Sequence, residues 1–124
     1  MLSAILDQSM AMAKGYFAEI VMETTPKEVI RKTLELPFAI KEDQYEMWRL
    51  TYALKWQTDQ DNSEYTQPVK RAVEHALKEL AYPNPSAETE LIFMFIDGAA
   101  TAFLLHPPAR QNHILDALKA KYEL

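Results

Sequence analysis

The placement of proline and glycine constrains the fold of this chain more than any other feature of its sequence. Proline interrupts a helix interior but is tolerated in the first turn, so the seven prolines divide the 124 residues into about six helical segments. Glycine occurs only at Gly15 and Gly98, and no segment alternates apolar and polar residues over the length of a strand. The sequence therefore predicts an all-α bundle of about six helices. The prolines are Pro26, Pro37, Pro68, Pro83, Pro85, Pro107 and Pro108.

Apolar residues recur at three- and four-residue steps within these segments, as they do on one face of a helix. The first helix should end near Thr24, and Thr25-Pro26-Lys27-Glu28 indicates an N-cap, a proline at the first helical position and a capping-box glutamate. A polar turn (57–63) and a rigid connector (82–86) separate later segments. The remaining predicted helices cover residues 26–36, 43–58, 69–80, 88–106 and 110–122.

The composition excludes several classes of protein. The length suits one domain, residues 1–124, and the absence of cysteine excludes disulfides and thiolate zinc sites and favours a cytoplasmic location. The longest apolar stretch (91–105) is shorter than the ~20 residues of a bilayer span, so we expect no membrane protein. With a net charge of −5 and no basic run longer than two residues, the chain by itself should not bind DNA.

The predicted third helix carries an unusual aromatic stripe, within about 80° on a helical wheel. A second apolar stripe lies opposite, so we expect this helix in the middle of the domain, covered on both sides. Either the aromatic side chains fill the core, or some of them line a ligand cavity together with Met10 and Phe17 of the first helix. The aromatic residues are Tyr45, Trp48, Tyr52 and Trp56, and the opposite stripe is Met47, Leu50 and Leu54.

The predicted fifth helix is apolar on two neighbouring faces. A glycine inside a helix costs about 1 kcal/mol relative to alanine, and a reason to keep Gly98 is the close approach of another backbone. We expect a homodimer formed by this helix and the last one; the alternative is a helix fully buried within one chain. The expected interface residues are Leu91, Phe95, Gly98, Ala102, Ile114 and Leu118, and the neighbouring face carries Ile92, Ile96, Ala99 and Phe103.

Few residues suggest catalysis or metal binding. Asp97 lies in an apolar helix, so its carboxylate must reach solvent or find a donor such as Arg110 or a ligand amine. The three histidines have no metal-site spacing, and two isolated glycines cannot build a phosphate loop. An enzyme that used Asp97, Glu74 or a histidine would lack a second catalytic partner. We therefore expect no metal, no cofactor and no enzymatic activity.

The segment 87–105, with Asp97-Gly98 inside an apolar helix and a shorter final helix after it, resembles the C-terminal domain of TetR-type transcriptional regulators. Residues 2–7 resemble the start of the helix that follows the DNA-binding headpiece of that family. The resemblance implies an orthogonal helical bundle and a homodimer joined by the last two helices. The helix-turn-helix headpiece itself is missing from this sequence, so the chain would be either a domain cut from a longer regulator or a stand-alone relative.

Two functional hypotheses follow. The first is the effector-binding and dimerisation domain of a TetR-like regulator, which senses a small apolar or aromatic molecule and reaches DNA only through the missing headpiece. Aromatic faces in an acidic domain would accept a cation as readily as a neutral ring. The alternative is a stand-alone helical interaction or scaffold domain whose core is filled and which binds no ligand.

Overall fold

A computed structural model describes residues 2–58, 63–106 and 111–124. Within these ranges the chain forms six α-helices and two short 3-10 helices, without a β-strand, which confirms the all-α prediction. The α-helices are α1 (Leu2–Val21), α2 (Pro26–Glu35), α3 (Tyr45–Thr58), α4 (Ser63–Glu79), α5 (Pro85–Leu105) and α6 (Gln111–Lys121). The 3-10 helices are Leu36–Ala39 and Glu42–Gln44, between α2 and α3.

The α4 helix lies at the centre of the fold, where it contacts α1, α2 and α5. Val69, Val73 and Leu77 follow one another at four-residue steps, so they share one face of α4, and all three are fully buried. Their face packs against apolar residues of the surrounding helices. These include Ile20 of α1, Ile30 and Leu34 of α2, and Ile92 of α5.

The prediction that α3 lies in the middle is wrong. The α3 helix contacts α1 and α5, and none of its described side chains (residues 45–53) is fully buried. Two apolar stripes do not make α3 a central helix here, because Met47 and Leu50 of the opposite stripe are only half-buried, as are Trp48 and Tyr52 of the aromatic stripe. The compact apolar side chains of α4 fill the centre instead.

The predicted starts of two helices and one predicted capping interaction also need correction. Pro68 lies inside α4, five residues after its start, and does not mark the beginning of that helix. The side chain of Thr25 makes no capping hydrogen bond, and Glu28 pairs with Arg31 within α2, so the predicted capping box is absent. The α5 helix begins at Pro85, inside the predicted connector, where the Asn84 side chain accepts a hydrogen bond from the backbone N–H of Ala87 (3.3 Å).

The end of the chain is attached to the bundle through Tyr122. This buried residue donates a hydrogen bond from its hydroxyl to Glu88 Oε2 (3.0 Å), and its ring lies 5.9 Å from that of Tyr82. Burial and the hydrogen bond to Glu88 both raise the pKa of Tyr122 above its usual value. These contacts hold the C-terminal end of α6 against the first turn of α5.

Candidate functional site

A cavity of about 190 Å³ lies between α1, α3, α5 and the 3-10 helix after α2. Its wall is mostly apolar and rich in aromatic rings. The α1 residues are Met10, Ala13, Tyr16 and Phe17; those between α2 and α3 are Leu36, Pro37, Ala39, Ile40 and Gln44; those of α3 are Trp48, Thr51 and Tyr52. The wall is completed by Thr66 of α4 and by Phe93, Ile96, Asp97 and Ala100 of α5.

Helical spacing explains why these side chains point to the same space. The wall residues of α3 are separated by three and four positions, and those of α1 and α5 by similar steps, so each set occupies one face of its helix. The 3-10 helix forms another side of the wall. It is held in place because the ring of Phe38 packs edge-on against that of Phe103, with 5.1 Å between ring centroids.

The polar groups of the wall are few. Thr51 satisfies its hydroxyl by donating to the backbone oxygen of Met47 (2.9 Å). Burial, together with the nearby Asp97 carboxylate, raises the pKa of Tyr52 to about 12, so this phenol is protonated at neutral pH. Asp97 is the one charged side chain among the described wall residues. Asp97 and Ala39 are also the exposed members of the wall, so they mark where it meets solvent.

The cavity brings together four of the six residues that the sequence suggested as ligand-binding. Met10, Phe17, Trp48 and Tyr52 all line it. Tyr45 is not part of the wall, and the side chain of Trp56 lies outside the described residues.

Tyr45 packs against another side chain of α3. The guanidinium of Arg49 lies 5.7 Å from the centroid of the Tyr45 ring, and Arg49 Nε donates to the backbone oxygen of Leu104 (2.6 Å). This hydrogen bond satisfies a carbonyl at the C-terminal end of α5 and joins α3 to α5. Tyr45 and Arg49 thus help to hold α3 against α5, and Tyr45 does not line the cavity itself.

Sequence reasoning missed the wall formed by residues 36–40 and most of the wall formed by α5. No periodic pattern could reveal the first, because it depends on how the 3-10 helix packs against α5. The second had a readable signal, since Phe93, Ile96, Asp97 and Ala100 follow the spacing of one helical face. Arg110, the alternative partner expected for Asp97, lies outside the described residues.

A different face of α5 points away from the bundle. Leu91, Met94 and Leu105 are 54%, 68% and 62% exposed, and Gly98 and Ala102 are exposed between them. We call these five residues the outer stripe. A Cβ atom added at Gly98 would meet nothing within 4 Å. The alternative of a helix fully covered within one chain therefore does not hold, since the stripe has no cover in the described structure.

The other expected interface residues divide into two groups. Ile114 of α6 is exposed (36%). Phe95 and Leu118 are partly buried and pack against the core. The residues of the neighbouring α5 face, which are Ile92, Ile96, Ala99 and Phe103, are buried. The outer stripe and Ile114 therefore remain available at the surface, whereas Phe95 and Leu118 contribute to the monomer.

A second hollow, of about 350 Å³, lies where α6 meets the turn after α4. Lys27, Lys121 and Glu123 contribute to its wall, which makes it more polar than the aromatic cavity. In the described part of the chain, no group of three potential metal-ligating side chains occurs. No helix there is both long enough and apolar enough to cross a membrane.

Comparison with protein-family models, with curated proteins and with solved structures gave no match. The resemblance to TetR-type regulators thus stays a prediction from the sequence. The cavity and the outer stripe are the features on which a functional proposal can rest.

Proposed function

We propose that this chain is the effector-binding and dimerisation domain of a TetR-type transcriptional regulator. The observation that carries the proposal is the apolar cavity between α1, α3 and α5. The ligand of this cavity would be a small, largely apolar molecule. A binding role fits this wall better than catalysis, because most of its side chains are apolar and supply contact area, and Asp97 has no second carboxylate, histidine or lysine beside it among the described wall residues.

The size of the cavity limits its occupant. An apolar cavity of about 150 Å³ in another protein accepts benzene or xenon. The volume of about 190 Å³ found here suits one aromatic ring with a short substituent. The rings of Trp48 and Tyr52 provide rigid contact area, whereas Met10 adapts its shape, so the cavity would accept several related small ligands.

The outer stripe supports association with a second copy of the chain. It is symmetric about Gly98, since Leu91 and Leu105 lie seven residues away on either side, and Met94 and Ala102 lie four away. In an antiparallel pair crossing at Gly98, Leu91 would meet the partner's Leu105, and Met94 would meet the partner's Ala102. A two-fold axis requires this kind of self-complementary surface.

The α5 helix also provides a physical route from ligand to dimer. One of its faces lines the cavity, and the outer stripe is on a different face of the same rigid element. A ligand that shifts α5 would therefore change the geometry of the proposed dimer, as small helix shifts at interfaces do in other regulated proteins. This coupling is the property that a sensor domain needs.

Ligand binding can be tested through the fluorescence of Trp48. A Trp56→Phe background leaves Trp48 as the remaining tryptophan, and titration with toluene or benzyl alcohol should give a saturable change. Ala13→Leu places extra bulk in the cavity and should weaken binding at least about tenfold. Ala11→Leu, on the exposed face of α1, is the matched control and should bind as the parent does. Fluorescence indifferent to all such compounds would contradict the proposal and favour the scaffold hypothesis.

A further inference from the structure

We infer that the cavity selects cations: its effector combines one aromatic or apolar body with a positively charged amine, and Asp97 is the counter-charge. This inference rests on the proposed binding function and specifies its ligand class. The juxtaposition that carries it is a carboxylate on the wall of an otherwise apolar, aromatic cavity.

The position of Asp97 follows from its helical face. Phe93, four residues earlier, and Ala100, three residues later, are also wall residues, so the carboxylate belongs to the face of α5 that borders the cavity. The described wall contains no lysine, arginine or histidine. An anionic ligand would thus find no cationic partner among the described wall residues, whereas a cationic ligand could donate a charged hydrogen bond to Asp97.

The aromatic rings strengthen this preference. A cation within about 6 Å of a ring face is attracted by the electrons of that ring. Tyr52 and Asp97 both line the cavity, and the Asp97 carboxylate acts electrostatically on the Tyr52 phenol, so an ammonium group near Asp97 would lie in the part of the cavity that Tyr52 borders. Trp48, one helical turn before Tyr52, borders the same space. Carboxylate and ring would then act on one charge together.

The exposure of Asp97 defines how the ligand would be oriented. Asp97 is exposed, whereas its neighbour Ile96 and the wall residue Ala100 are buried. The ammonium group would therefore stay near the rim while the apolar body enters the cavity. Asp97 also has an interaction partner within the chain, but a carboxylate accepts about four hydrogen bonds and can hold a ligand ammonium in addition.

A set of probes of similar size tests the inference. Benzylamine is cationic at neutral pH, benzyl alcohol is neutral and benzoate is anionic. Their dissociation constants would be measured by Trp48 fluorescence in the Trp56→Phe background. We expect benzylamine to bind about three- to tenfold more tightly than benzyl alcohol, as partly exposed charge pairs and cation–π contacts allow. Benzoate should bind most weakly.

Substitutions then assign the preference to Asp97. Asp97→Asn should abolish the advantage of benzylamine over benzyl alcohol, because it removes the negative charge and keeps the size of the side chain. Asp97→Glu, which restores the charge, should keep part of the advantage. Asp116→Asn changes the net charge equally at an exposed position of α6 and should keep all of it.

The outcomes separate this inference from the function on which it rests. Equal binding of benzylamine and benzyl alcohol would overturn the cation preference, whereas an advantage that survives Asp97→Asn would overturn the role of Asp97 as counter-charge; either outcome leaves the cavity function intact. An advantage lost equally in Asp116→Asn would also overturn it, since the effect would then come from net charge. Binding of none of the three probes would overturn both proposals.

Discussion

Two residues that are not glycine adopt a left-handed backbone conformation just after the end of a helix. Ala81 follows α4 with a φ angle of 63°, and Glu123 follows α6 with 57°. At the end of α4 the N–H of Tyr82 donates to the oxygen of Leu77 (3.1 Å), and that of Ala81 donates to Lys78 (3.0 Å). This pair of hydrogen bonds is a Schellman motif, which glycine usually closes because a Cβ atom strains the backbone.

Replacing Ala81 by glycine should therefore stabilise the protein. We expect the free energy of unfolding to rise by up to about 1 kcal/mol, because glycine relieves strain and the exposed alanine loses little packing. The matched control is Ala117→Gly, an exposed alanine within α6, where the free energy should fall by about 1 kcal/mol. Urea unfolding of both variants measures the difference. A loss of stability in Ala81→Gly equal to that in Ala117→Gly would contradict the strain argument.

At the scale of the element, α4 has one fully buried apolar face and also a proline, Pro68, which disfavours a helix. Pro68 lies inside the helix, where its nitrogen cannot donate a hydrogen bond and its ring crowds the preceding turn. The side chain of Pro68 is exposed, whereas the next residue, Val69, is fully buried. Burial of the face formed by Val69, Val73 and Leu77 thus stabilises a helix that local preference would interrupt.

Pro68→Ala should raise the free energy of unfolding by about 1 to 3 kcal/mol, because it restores a helical N–H donor without removing a buried side chain. Pro85→Ala is the control. Pro85 occupies the first position of α5, where proline fits the helix, so its replacement should bring no gain. Denaturant unfolding followed by far-UV circular dichroism tests both. If Pro68→Ala gives no more stability than Pro85→Ala, the proline does not strain α4.

At the scale of the whole molecule, α5 is the helix that links the hydrophobic core, the proposed ligand cavity and the proposed dimer surface. Its faces contribute to the core, to the cavity and to the outer stripe, which is about 21 Å long at the rise of an α-helix. A stable interface between two copies commonly buries about 1,200 to 2,000 Å² in total. The outer stripe together with Ile114 of α6 offers the apolar centre that such an interface needs.

Gly98→Leu tests the proposed dimer. A leucine has free space at this position in one chain, so the monomer should fold, but it would push two helices apart at their crossing point. We expect the dimer to weaken at least about tenfold in sedimentation equilibrium. Gly15→Leu, at a helical glycine of α1 with equal free space, is the control and should associate like the wild type. A wild-type chain that is monomeric at tens of micromolar would contradict the dimer.

The sequence by itself determined the helices and many of their faces. Six helices, the shared face of Trp48 and Tyr52 and the two neighbouring faces of α5 could all be predicted. The reason is that the 3.6-residue period of an α-helix makes a shared face a local property of the spacing. The grouping of Met10 and Phe17 with Trp48 and Tyr52 was predicted from the residue types and not from a period, and the structure places all four on one cavity wall.

Only the tertiary structure decided which helix lies at the centre and what completes the cavity. The α4 helix occupies the core in place of α3, Pro68 is accommodated inside a helix, and residues 36–40 form one side of the cavity wall. These features depend on which faces meet across the bundle, and such contacts join residues that are distant in sequence. A local period defines the face of each helix, whereas the packing of all helices together selects its partner.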